Sequence, residues 1–149
     1  MKTHNLLLLI ILSLTLFKTL TSLKELAISH LSTKTYDVRI INGFTSNSSM
    51  PLVVWCASED GDDMGGRALQ EREDYGWSVD TGFLSRPARF VCTVKWAWRR
   101  KKFDAFWLSR DKYRCGVDRR CFWLVKEDGI YFGKSNDHGG NWIKNFSWM

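Results

Sequence analysis

Residues Arg89-Phe90-Val91-Cys92-Thr93-Val94-Lys95-Trp96-Ala97-Trp98 alternate in character along their whole length. Phe90, Cys92, Val94, Trp96 and Trp98 fall on one side and Arg89, Val91, Thr93, Lys95 and Ala97 on the other, the period of two that a half-buried strand requires. The same texture extends outward. On the N-terminal side Val38-Arg39-Ile40-Ile41-Asn42 ends in Gly43 and a Ser/Asn cluster, Leu52 to Ala57 is apolar on both faces as a central strand would be, and Tyr75, Trp77 and Val79 alternate with Gly76, Ser78 and Asp80. On the C-terminal side the basic run Arg99-Arg100-Lys101-Lys102 reads as a hairpin tip, with Phe103 to Leu108 as the returning strand. Cys121 to Val125 and Ile130 to Phe132 then flank Asp128-Gly129, a dipeptide typical of tight hairpin turns. Ser58 to Gly66, rich in Gly and acids, reads as the longest loop. With short strands at this spacing and no 3.6-residue period after the N-terminal segment, the expectation is an all-β chain: a small antiparallel sandwich of about seven to eight strands. The alternating positions assign the eight tryptophans, all at or beyond Trp55, mainly to the core.

The N-terminus has a different composition. Lys2 precedes an apolar stretch from Leu6 to Phe17 that Lys18 interrupts after about a dozen residues, shorter than the 20 or so a membrane span needs. This is the pattern of a signal peptide over residues 1–21, with Thr19 and Thr21 as the small residues before the cut and Ser22 near the mature N-terminus. Leu23 to Thr35 reads as a tail leading into one secreted domain, 22–149, with no stable membrane insertion after cleavage. Losing Lys2 and Lys18 lowers the formal charge from +6 to +4. That modest balance favours anionic surfaces such as wall polymers or lipid headgroups and lacks the dense basic stripe of a nucleic-acid binder.

Four cysteines, Cys56, Cys92, Cys115 and Cys121, read as two disulfides in a secreted chain. Three pairings are open. The five residues between Cys115 and Cys121 favour a bridge closed by a hairpin, which leaves Cys56 and Cys92 to staple two longer strands. No CxxC pair or adjacent His supports a metal site, and no cofactor is expected. The mature chain has two histidines, His30 in the tail and His138 in a Gly-rich loop, and neither GxSxG nor HExxH occurs, so no catalytic residue is assigned. The acids Glu59, Asp60, Asp62 and Asp63 lack EF-hand spacing and read as a solvated loop. Arg99, Arg100, Lys101 and Lys102 form the leading candidate contact surface, with Arg114, Arg119 and Arg120 a second. Asn47-Ser48-Ser49 and Asn145-Phe146-Ser147 match the glycosylation acceptor pattern.

In order along the chain, Val38 to Asn42, Leu52 to Ser58 with its Asp-rich sequel, Tyr75 to Val79, Arg89 to Cys92, Phe103-Asp104, Arg114-Cys115, Cys121 to Val125 and Glu127 to Tyr131 resemble the plant self-incompatibility family of stigma S-proteins and S-protein homologues. The resemblance runs from about Val38 to Trp142. It implies a secreted two-disulfide β-sandwich without catalytic residues, which for the founding members is the female determinant read by a pollen-surface receptor. Recognition in the family is attributed to exposed hydrophilic loops, here by position Glu59 to Gly66 and Arg99 to Lys102. The chain departs from the pattern in Trp55, where a His or similar polar residue often precedes the Cys, and in the basic run. The function expected is that of an extracellular recognition ligand for a cell-surface receptor protein; the alternative is a defence protein that binds cell wall or membrane through exposed Trp and positive charge.

Overall fold

The computed structural model describes residues 2–30, 34–45, 49–82, 89–135 and 140–148, and it divides into two compact units, residues 1–33 and 34–149. The first unit is a helix, α1 (Lys2–His30). The helix runs through Lys18 and takes in most of the expected tail. Its hydroxyls are satisfied locally, Ser13, Thr15, Thr19 and Thr21 each donating to a carbonyl three residues back. The expected limit at Lys18 is therefore corrected. The segment His4–Glu25, 22 residues, is long and apolar enough to cross a membrane, a test that a signal sequence near the N-terminus also passes.

Among its described residues the second unit holds nine strands and one short helix. In chain order these are β1 (Lys34–Asn42), β2 (Leu52–Ser58), β3 (Asp63–Leu69), β4 (Asp74–Thr81), β5 (Arg89–Trp96), β6 (Arg99–Trp107), α2 (Leu108–Arg114), β7 (Arg120–Lys126), β8 (Gly129–Gly133) and β9 (Ile143–Phe146). They make two sheets, ordered β4-β1-β7-β8-β9 and β3-β2-β5-β6. All pairings are antiparallel except β1 with β7, which is parallel, so the sandwich is mixed and not purely antiparallel. The period of two holds where it was read: Val38 and Ile40, Leu52 and Val54, Cys92 and Val94, and Trp123 and Val125 are all fully buried. Their packing between sheets is visible in ring contacts, Tyr36 with Phe106, Trp77 with Phe90 and Phe103 with Trp123. Trp123, at the centre, donates its indole N–H to the Ala105 carbonyl at 2.7 Å, which removes the cost of burying that group.

Three further expectations change. Arg99 to Lys102 is not a hairpin tip but the first half of β6; the two-residue turn is Ala97-Trp98, with Ala97 at φ 53°. Part of the long loop, from Asp63 onward, is edge strand β3, where only Leu69 is buried. Helix α2 occupies two turns between β6 and the second disulfide. It is held by Asp111, fully buried, whose carboxylate accepts from the Trp107 backbone N–H at 2.7 Å and from Arg110 Nε and Nη2 at 2.9 and 2.8 Å. The disulfides are Cys56–Cys92, between directly opposed positions of β2 and β5, and Cys115–Cys121, closing the loop after α2.

Candidate recognition surface

Strand direction fixes where the charged segments lie. Ser58 pairs with Phe90 at one end of the four-stranded sheet and Trp96 pairs with Arg99 at the other. The acidic turn Glu59–Asp62 therefore sits at the opposite end of the sheet from Arg99, the start of the basic run, whereas the far end of that run, Lys102, lines a concavity of about 320 Å³ together with Glu59, Arg89 and Asp104.

The acidic turn is held rigidly. Ser58 N donates to the Asp62 carbonyl at 2.9 Å, Asp62 N donates back to Ser58 Oγ at 3.0 Å, and Gly61 takes the left-handed conformation (φ 93°) that closes the turn. Glu59 N donates to the Arg89 carbonyl, and Asp63 Oδ1 accepts from Gly65 N. Glu59, Asp60, Asp62 and Asp63 are all exposed. Behind the turn Arg89 grips Asp104 through two arms, at 2.9 and 3.3 Å, and reaches Glu59 at 3.4 Å. The Asp104 hydrogen bond and charge, then Glu59, hold the Arg89 pKa above its usual value.

The basic run splits by strand parity. Arg99 turns inward, stacks on Trp96 and donates to the Glu127 carbonyl, while Lys101 lies over the Phe146 ring. Arg100 and Lys102 point outward and are exposed. The second basic patch also divides: Arg119 and Arg120 are exposed, but Arg114 lies 3.9 Å over the Phe132 ring, where burial lowers its pKa. Asn145 is exposed on β9, and Asn47 lies outside the described residues. So does His138, while His30 ends α1. No group of three or more His, Cys, Asp or Glu among the described residues could hold a metal ion.

The outer face of the four-stranded sheet carries what the sequence reading assigned to the core. Of the eight tryptophans, Trp55, Trp98 and Trp107 are exposed, at 53, 86 and 43 %. Trp55 leans across onto β3, where a Cβ added to Gly66 would meet its ring at 2.8 Å. Hydrogen-bond register lays out two rows across the sheet, Gly66-Trp55-Thr93-Lys102 and Ala68-Val53-Lys95-Arg100. Beside them Met50, Pro51, Val53, Lys95, Ala97 and Trp98 line a shallow concavity of about 480 Å³. The parity of Val53 and Trp55 was legible; that their face stays open depends on what packs against the sheet.

The other sheet also has a groove on its outer face, about 360 Å³, lined by Arg39, Arg72, Leu124, Lys126 and Trp142 among others. There Arg39 is matched by Asp37 at 3.2 Å and Asp74 at 3.1 Å, which hold its pKa up.

Residues 37–148 match the family described as plant self-incompatibility protein S1. Among curated proteins, S-protein homolog 6 of Arabidopsis thaliana is 38 % identical over 80 residues, 54 % of this chain and 56 % of its own. S-protein homolog 27 of the same plant is 30 % identical over 104 residues, covering 70 % of this chain and 65 % of its own, and S-protein homolog 24 is 30 % identical over 97 residues, 62 % of each. The chain thus spans between about half and two thirds of the length of these relatives. No solved structure matches.

Proposed function

Since this chain belongs to the plant self-incompatibility protein S1 family, we propose that it is a secreted extracellular ligand recognised by a cell-surface receptor protein, with pollen–pistil recognition as its setting. In this reading residues 1–21, the larger part of α1, are a signal peptide removed near Thr21, residues 22–149 are the secreted domain, and the protein is not an enzyme. The observation that carries the reading is the acidic turn. Four exposed acids, Glu59, Asp60 and Asp62 on the turn and Asp63 at the start of β3, follow a backbone that its own hydrogen bonds and Arg89 already hold in place. A preordered charged loop loses little entropy on docking and speeds encounter with a basic partner. A receptor contact of roughly 800 Å² per side is within reach of that turn and its neighbours, the Arg89–Asp104 pair and Trp107.

The test is equilibrium binding of the labelled, disulfide-bonded protein to pollen-tube and leaf protoplasts, before and after surface proteolysis. Saturable binding to the pollen-tube cells that is lost on proteolysis supports the reading. Binding that survives proteolysis unchanged removes it, and equal binding to both cell types removes the pollen setting.

A further inference from the structure

We infer that the part of the outer face of the four-stranded sheet around Trp55, Lys95 and Arg100 is a second binding site, for an acidic polysaccharide of the uronate type. Lys95 and Arg100 are directly opposed across β5 and β6 and both are exposed on the outer face. Like charges placed opposite one another destabilise a sheet, so folding alone disfavours this pair. Lys102 extends the cationic column, two residues and about 7 Å along β6 from Arg100. Among the described residues none of these three makes an ion pair, and the two carboxylates that line a concavity with Lys102, Glu59 and Asp104, are both engaged by Arg89. The arrangement calls for an external anion. The contrast with the other sheet is direct: Arg39 there has two carboxylates of its own.

Trp55 narrows the class of anion. Its ring lies against Gly66 and the residue is 53 % exposed, so part of its aromatic surface is open to solvent on this face. The negative face of an indole attracts the C–H bonds that line one side of a pyranose ring. A chain laid across the strands stacks on Trp55, passes the Thr93 hydroxyl and reaches Lys102 about 10 Å away, two strand spacings on. The neighbouring row offers Val53 and then Lys95 and Arg100. Sugar rings bearing carboxylates satisfy both halves of this face. A lipid surface would instead engage the protruding Trp98, 86 % exposed at the turn.

The experiment measures retention of the disulfide-bonded protein on immobilised polygalacturonate, on the same polymer fully methyl-esterified, and on phosphatidylserine vesicles. Polygalacturonate should bind it and the ester should not, with binding weakened as salt shortens the reach of the cations. Trp55→Ala should weaken binding about five- to tenfold, the scale of one lost aromatic contact. Lys95→Glu with Arg100→Glu should abolish it, whereas Arg119→Glu with Arg120→Glu, which removes equal charge elsewhere, should leave it near wild type. Near-ultraviolet circular dichroism checks that each variant is folded. Asp60→Lys with Asp62→Lys should retain polymer binding, so that this site and the receptor contact fail independently. Binding indifferent to Trp55→Ala, equal loss in the Arg119/Arg120 variant, or vesicle capture that exceeds polymer binding and disappears in Trp98→Ser would each overturn the inference.

Discussion

Replacing Asp111 with Ala should destabilise the domain by about 3 kcal/mol, the lower part of the range of about 3–5 kcal/mol for breaking a buried charged pair. The size follows from what each partner loses. Asp111 is completely buried and accepts three hydrogen bonds, from Trp107 N, Arg110 Nε and Arg110 Nη2. The Trp107 N–H opens α2 and loses a charged acceptor, worth about 1.5–3 kcal/mol. Arg110 is 24 % exposed in its side chain and keeps a bond from Nη2 to the Asp104 carbonyl, so its guanidinium turns partly to water and its share is smaller. Urea unfolding with the disulfides intact reads the change directly. With a slope of about 1–3 kcal/mol per molar, the midpoint should fall by about 1.5 M. A loss below about 1 kcal/mol would refute the view that Asp111 is the clamp between β6 and the second disulfide.

Removing Cys56–Cys92 (both to Ser) should cost about 4 kcal/mol and removing Cys115–Cys121 about 2 kcal/mol by loop entropy, since their separations are 36 and 6 residues; thermal unfolding of the two double variants gives the order. Ala97→Gly should raise stability by roughly 0.5 kcal/mol, because a left-handed Ala costs about 1–2 kcal/mol and the extra freedom of unfolded Gly offsets part of the gain. The Tyr131 hydroxyl, and then Lys144, hold the Asp128 carboxyl below its ordinary value of 3.8. Its contribution is therefore present above that value and lost as pH falls through the lower folded one. The stability gap between wild type and Asp128→Asn should close on acidification below about pH 4, and a gap that is constant with pH would exclude the assignment.

The fold was legible where one face of a strand is buried, because burial imposes the period of two. Val38 to Asn42, Leu52 to Ala57 and Arg89 to Trp96 are such runs. Edge strand β3 was not, since its Gly and charged positions meet solvent and only Leu69 reaches the core. Helix α2 is two turns long and buries Asp111, so no apolar stripe announces it. The turn at Ala97-Trp98 carries no Gly or Asn, and the four cations after it drew the tip to the wrong place. The parallel pairing of β1 with β7 depends on contacts some 80 residues apart along the chain and has no local signal. The acids of the candidate contact were legible as exposed charge. The open face around Trp55 was not, because an apolar residue on a strand looks the same in sequence whether or not another layer covers it.

The most direct test of receptor recognition through the acidic turn compares wild type with Asp60→Lys, Asp62→Lys protein for saturable, protease-sensitive binding to pollen-tube protoplasts over a salt series. The expected result is a loss of at least about tenfold for the variant, largest at low salt where charge is least screened. Identical binding curves for the two proteins at every salt concentration would contradict it.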